Sequence, residues 1–359
     1  MNKRKIRKAI KRIKYLPRNK YLFKYLGNKL KHFYYKATKS KKVAYPSTIM
    51  LELTNHCNLH CTTCPREYDY GKKMDKGKMQ ISQAKTVIDE LWPYIDSIGL
   101  TGMGETFLYK DIEEIVDYIK SKNKGIIISV STNAMLPDFI DIVKPIVDKI
   151  DTIQISIDGL GEKYEKIRIG ASFNALQENL KSLSDLCKNS ETTLMLNMVV
   201  TKENYTCMAP LVRFSEDINI EFLDFTLFNL ASVTKIDRNY YQFYKSEEFK
   251  IALKELDRVA DSSDFVTVTN RNFSTDNSFQ KCPFPWTHFY ICWNGFVTPC
   301  CAKPFPKECN FGNVFESGVM NILNGKKIQA WRQLWFNNET PKFCDKCHFI
   351  DIEPVAAGA

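Results

Sequence analysis

The segment Cys57-Asn58-Leu59-His60-Cys61-Thr62-Thr63-Cys64 puts three cysteines on one eight-residue loop, spaced C-x3-C-x2-C, directly after the apolar run Met50-Leu51-Glu52-Leu53-Thr54. No other feature restricts the fold as much, because three thiols on a short loop ask for a metal centre and the strand-like run before them fixes where that loop begins. Zinc sites normally close with four ligands, whereas three thiolates leave one iron of a 4Fe-4S cluster without a protein ligand. A zinc loop completed by His56, His60 or a distant cysteine is the alternative reading.

From Ser47 onward, β-rich apolar runs alternate with helical patterns, which predicts repeated βα units around a parallel sheet. The candidate strands are Thr48–Leu53, Ser97–Leu100, Ile126–Ser131, Thr152–Ile157, Thr193–Val200 and Phe222–Phe228. Helical patterns lie between them near Ser82–Tyr94, Asp111–Lys122, Pro137–Lys149, Asn174–Asn189 and Met208–Asp217. Six strands are too few for the usual eight-stranded closure, so the expected fold is α/β, a partial (β/α)6 TIM-like barrel with an open side. After an aromatic segment, Tyr240–Tyr244, and a charged helical stretch, Ser246–Ala260, residues 282–347 are rich in Cys, Pro, Phe and Gly. Strand-like Phe289–Cys292 precedes the turn Trp293-Asn294-Gly295 there, but apolar periodicity is weak, so metal ligation is expected to supply folding free energy that a small core cannot. The expected units are an arm (1–45), the barrel (46–230), a connecting segment (231–281) and a C-terminal metal module (282–359).

Twelve cysteines in close clusters, with no apolar signal-peptide core after the basic start, fit metal ligation in a reducing cytoplasm better than a disulfide scaffold. No run of about 18 apolar residues exists to span a bilayer.

With these features the sequence resembles the radical S-adenosylmethionine (SAM) superfamily, whose C-x3-C-x2-C motif follows the first strand of a partial barrel. The resemblance implies that Cys57, Cys61 and Cys64 hold a 4Fe-4S cluster, that SAM chelates its open iron, and that a 5'-deoxyadenosyl radical abstracts a substrate hydrogen. It covers Thr48 to about Phe228. Thr101-Gly102-Met103-Gly104-Glu105 matches the family's glycine-rich turn, which implies that Gly102, Gly104 and Glu105 meet the SAM amino group. Ser129-Val130-Ser131-Thr132-Asn133 and Ile155-Ser156-Ile157-Asp158-Gly159 resemble the next SAM-facing strands, with Ser131 and Asn133 near the ribose and Ser156 near the carboxylate. Arg168 resembles an arginine that pairs with that carboxylate, a task suited to the guanidinium fork. Ordinary turn chemistry for Asn133 and Asp158, and a surface ion pair for Arg168, are the plainer readings.

Cys282, Gly295, Cys300 and then Cys344-Asp345-Lys346-Cys347 resemble the C-terminal module called SPASM or, shortened, twitch. This implies four ligands, Cys282, Cys300, Cys344 and Cys347, for an auxiliary 4Fe-4S cluster, and a single such cluster, since no cysteine follows Cys347. A four-thiolate zinc ribbon is the alternative. Cys301 adjoins Cys300 and is the candidate ligand or hydrogen-atom donor; Cys292 and Cys309 are others, while Cys187 and Cys207 read as packing residues.

Residues 1–45 carry 17 of the 51 Lys and Arg and none of the 41 Asp and Glu, leaving 34 basic against 41 acidic residues in the body. Apolar residues recur among these lysines at helix-like intervals, broken near Pro17. A basic amphipathic helix on an anionic membrane, at the inner face of the cell, and a solvated helix packed on the barrel by its apolar stripe are equally compatible. Removal of the arm is expected to leave barrel and clusters intact.

The expected partners are a reductant such as flavodoxin or ferredoxin and a substrate, with no specific nucleic acid. A single auxiliary cluster and a short arm favour oxidation or epimerisation of a carbohydrate, cyclitol or lipid-linked glycan. The alternatives are a peptide or protein maturase, of the sulfatase-maturing or crosslinking kind, and a non-enzymatic metal scaffold. Anaerobic reconstitution should give about eight iron and eight sulfide per chain. The triple variant Cys57→Ala/Cys61→Ala/Cys64→Ala should retain about half of each and cleave no SAM; 5'-deoxyadenosine formed by that variant would refute the assignment.

Overall fold

The computed structural model describes residues 3–233, 235–269, 282 and 284–348. Six parallel strands form its centre: β1 (Thr48–Leu51), β3 (Ser97–Leu100), β4 (Ile127–Thr132), β5 (Thr152–Ser156), β7 (Thr193–Val200) and β8 (Phe222–Leu227), neighbours in that order. These are the six strands expected from the sequence, two with the expected bounds and four shifted at one or both ends by one or two residues. Alternate positions bury Ile49 and Leu51, Ile98 and Leu100, Ile128 and Val130, and Ile153 and Ile155 in the core, whereas Ser129, Ser131, Gln154, Ser156 and Thr226 remain half-buried on the other face. That alternation gives the sheet an apolar, helix-covered side and a polar side.

The covering helices follow from apolar spacing. Ala84, Val87, Ile88 and Leu91 form one stripe of Ile81–Leu91, and Ile112, Ile115, Val116 and Ile119 one stripe of Ile112–Lys122. Phe173–Cys187 is capped by Ser172, and Glu247–Asp261 by Ser246, whose hydroxyl accepts from the Phe249 N–H. Cys187 and Cys207 pack in the core. The helix expected over Pro137–Lys149 is instead a short helix, Phe139–Val143, and a 3-10 turn, Val147–Lys149. Pro145 lacks the N–H needed to carry one helix through.

The sheet runs further than expected. Strand β9 (Thr267–Val268) adds beyond β8, and β10 (His288–Ile291) lies parallel to β1 in the register Thr48↔His288 to Leu51↔Ile291. Antiparallel β11 (Val297–Thr298) adds beyond β10, giving nine strands in this sheet among the described residues. The C-terminal segment is therefore not the core-poor appendage anticipated: Phe289, Ile291, Val297, Val319, Leu323 and Ile328 belong to the same core cluster as the barrel. The periodicity was invisible because each contribution is short and uses a different partner. Residues 270–281 of the expected connecting segment and 349–359 of the module lie outside the described residues.

The arm forms two helices, α1 (Lys3–Lys14) and α2 (Lys20–Ala37), separated near Pro17 as expected. They lie at the strands' N-terminal ends, held by charge. Asp96, just before β3, pairs with Arg12 and with Lys29 at 2.5 Å, and accepts from the Tyr25 hydroxyl at 2.7 Å. Asp151, just before β5, pairs with Lys11 at 2.6 Å and Lys120 at 2.9 Å. The arm is therefore docked on the barrel, since Asp96 is nearly buried and all three of these partners come from the arm. Replacing Arg12 and Lys29 together by Met, which leaves both helices over Asp96, should lower stability by roughly 1–3 kcal/mol, the consequence of leaving a nearly buried carboxylate without its cations, reduced because both cations are about a third exposed. Asp96→Asn in that variant should recover part of the loss in urea unfolding; no recovery would mean Asp96 is not the cause.

Candidate functional site

The site lies at the C-terminal ends of the central strands, where the cysteine loop after β1 folds over them. Its backbone is pinned by a two-residue antiparallel ladder between β2 (His60–Cys61) and β6 (Arg168–Ile169), with Cys61 opposite Arg168, and by the Thr62 N–H donating to the Ile167 carbonyl at 2.8 Å. Cys57, Cys61 and Cys64 are free thiols, half-buried. Burial pushes the Cys61 thiol up to about 12 and the Cys64 thiol up to about 11. Thiolates there need a compensating charge or iron to become the stable form.

Arg168 brings one such charge. Its Nη2 is 2.9 Å from the fully buried Asp158 carboxylate and its Nη1 is 3.9 Å from Cys61 Sγ. The surface ion pair considered from the sequence is thus a buried one. Arg168 Nε and the Tyr164 hydroxyl are both buried and make no hydrogen bond. Unpartnered donors beside the cysteine loop are what a bound carboxylate would satisfy, so the donor set fits a ligand carrying one.

The glycine-rich turn after β3 packs on the cysteine loop. A Cβ at Gly104 would sit 2.3 Å from the His56 carbonyl oxygen and 2.7 Å from that of Thr54, and one at Gly102 would meet the Glu52 side chain at 2.4 Å. Glycine is required at both places by close approach. Glu105 is buried; it accepts from the Thr132 hydroxyl and the Asn133 N–H, both at 2.8 Å, and from the Phe107 N–H at 3.2 Å. Its carboxylate therefore holds the end of β4 instead of presenting itself freely to a ligand. Burial raises its pKa, opposed by those donors. Asn133 in turn donates to Asn58 Oδ1 at 2.9 Å and approaches Cys57 Sγ at 3.8 Å. Ser131, next to last in β4, and Ser156, last in β5, lie half-buried on the polar face.

Cys282, Cys300, Cys344 and Cys347 line one cavity with Phe284, Trp331, Trp335 and Phe343. Four thiols on an apolar-walled cavity fit the auxiliary cluster, and burial raises the pKa of the Cys282 thiol to about 11. Cys301 follows Cys300 but does not line this cavity, and Cys292 lines a different one, shared with Glu52, Met103 and Trp293. Gly295 has φ +84°, the left-handed conformation the tight turn before Cys300 requires.

Glu52 is the residue that sequence reasoning missed. Its buried carboxylate accepts from the Met103 N–H at 2.8 Å, from the Trp293 N–H at 3.2 Å and from the Tyr290 hydroxyl, tying the glycine turn to the C-terminal segment. A lone carboxylate inside the apolar run Met50–Leu53 was the available signal.

A model of the radical SAM superfamily matches residues 51–214, and one of the SPASM iron-sulfur cluster-binding domain matches residues 282–348. The chain belongs to the radical SAM superfamily and carries a SPASM segment. It is an enzyme of that family, and its cofactors are SAM, the 4Fe-4S cluster that binds it, and auxiliary iron-sulfur in the SPASM segment. It is 23% identical over 332 residues to the antilisterial bacteriocin subtilosin biosynthesis protein AlbA of Bacillus subtilis, covering 90% of this chain and 68% of AlbA. It is 23% identical over 324 residues to the tungsten-containing aldehyde ferredoxin oxidoreductase cofactor-modifying protein of Pyrococcus furiosus, covering 84% and 87%. The fold is shared with SuiB of Streptococcus suis bound to precursor peptide SuiA: TM-score 0.65 at 18% identity, covering 92% and 76%. Among the described residues no helix is long and apolar enough to cross a membrane.

Gly104→Ala should cut SAM cleavage at least tenfold while leaving the iron content unchanged, because a methyl group would push the turn away from the Thr54–His56 backbone. Iron analysis and 5'-deoxyadenosine assay of the purified variant test this; wild-type cleavage would refute the close-approach argument.

Proposed function

We propose that the chain is a radical SAM maturase that modifies a peptide or protein. The observation that carries this reading is the likeness to AlbA, which extends over both the barrel and the SPASM segment, 90% of the chain, and AlbA serves biosynthesis of a bacteriocin. The fold shared with SuiB, solved with its precursor peptide, agrees with it. The carbohydrate, cyclitol or lipid-linked glycan expected from the cysteine count gives way accordingly. A small-molecule substrate is the second reading, favoured by the likeness to the cofactor-modifying protein of Pyrococcus furiosus.

With SAM held at the first cluster, the pair would supply the radical chemistry that takes a hydrogen atom from a substrate. In this reading Cys57, Cys61 and Cys64 ligate that cluster, with Arg168 balancing thiolate charge at Cys61 and offering Nε to the SAM carboxylate. Gly102 and Gly104 let the turn's backbone approach the amino group, and Glu105 acts as a positioning residue through Thr132 and Asn133. Ser131 and Ser156 contribute hydroxyls to the polar face. Cys282, Cys300, Cys344 and Cys347 hold one auxiliary cluster as an electron acceptor. Cys301 or Cys292 would return a hydrogen atom if the reaction inverts a centre. The working units remain an arm (1–45), a radical generator (46–230) and an auxiliary segment from residue 282, with a flavodoxin- or ferredoxin-type protein as reductant.

The test is mass spectrometry of peptides encoded beside the gene after incubation with reduced, SAM-loaded enzyme in deuterium oxide. Loss of hydrogen from a side chain, without deuterium gained, is expected for oxidative crosslinking. Deuterium at an inverted carbon, abolished in Cys301→Ala or Cys292→Ala, would show epimerisation instead. Unchanged peptides alongside a consumed small molecule would overturn the peptide reading.

A further inference from the structure

The two N-terminal helices dock with their amphipathicity inverted. Toward the barrel they turn polar groups: Tyr25 and Lys29 to Asp96, Asn28 and His32 to Tyr45, and Lys8 to the Thr152 hydroxyl at 2.8 Å. Away from it they turn apolar side chains, with Phe23 76%, Leu30 70%, Phe33 74% and Ile13 70% exposed. On α2 the exposed positions 23, 26, 30 and 33 recur every three or four residues and so form one stripe. A stripe of that kind normally faces a core; here the core side is already filled by groups with hydrogen-bond partners and by the Tyr21 ring, packed 4.4 Å from that of Trp92. Exposed Lys24, Lys31 and Lys36 lie on the same helix, and neither helix contains an Asp or Glu.

We infer that the outer face of α1 and α2 is a docking surface for an anionic lipid bilayer. Charge complementarity selects this occupant: an apolar stripe set among uncompensated lysines matches acyl chains beneath acidic headgroups. Two copies pressed face to face would oppose like charges. The apolar stripe packed on the barrel, considered from the sequence, is corrected by these exposures; the arm is on the barrel, but by its other face. Since α1 and α2 sit at the strands' N-terminal ends, the bilayer would lie behind the sheet and the cysteine loop would face away from it. A substrate would then arrive from the aqueous side.

The full-length, reconstituted protein should co-sediment with vesicles of phosphatidylcholine and phosphatidylglycerol, weakly with phosphatidylcholine alone, and less as salt rises. Phe23→Ser/Leu26→Ser/Leu30→Ser/Phe33→Ser should lower partitioning at least about tenfold. Because all four side chains are exposed, its iron content and SAM cleavage should stay at wild-type levels. Lys24→Gln/Lys31→Gln/Lys36→Gln should remove most of the salt dependence. No sedimentation of the wild type, or equal sedimentation of the serine variant, would overturn the inference. A lipid-free dimer in sedimentation equilibrium that the serine variant abolishes would also overturn it and assign the face to a second copy.

Discussion

One buried carboxylate joins the two halves of the site. Glu52, at the end of β1, takes hydrogen bonds from the glycine turn through Met103 and from the C-terminal segment through Tyr290 and Trp293. Burial raises its pKa, and the donors around it oppose that rise. Such an arrangement is stable only while all its partners are in place, because a buried acceptor stripped of a donor bears the desolvation penalty alone. The cysteine loop, the glycine turn and the auxiliary segment are consequently held as one assembly. The loop itself is fixed by Gly104 against its backbone on one side and by the Cys61–Arg168 ladder on the other.

The barrel was legible in the sequence because its strands alternate regularly with amphipathic helical patterns, and four of the six strands run five to eight residues. The C-terminal segment was less so. Its strands are two to four residues long, and the pairing of His288–Ile291 with β1 depends on a register no local pattern encodes. The arm shows a third kind of limit. Its periodicity revealed two helices, but which face turns inward is decided by Asp96 and Asp151, far along the chain and not recognisable as partners from spacing alone.

The same contrast holds for the chemistry. Motif residues such as Cys57, Cys61 and Cys64 stand out by type and spacing, whereas Glu52, Tyr164 and the role of Glu105 as the clamp of β4 emerge only from three-dimensional neighbours. Arg168 lies between these cases. Its candidacy was visible, but its link to Asp158 and its position opposite Cys61 are properties of the fold.

The pairing of β10 with β1 also bears on how the molecule is made. His288 lies beside Thr48, so one flank of the first barrel strand stays open during synthesis until residues 288–291 have left the ribosome. Contacts so distant in sequence slow folding, and an unpaired strand edge invites pairing with other chains in the meantime. The nascent barrel thus carries an exposed edge beside a loop of three free thiols until residues 288–291 are delivered, and Cys344 and Cys347 follow only after that edge can be covered.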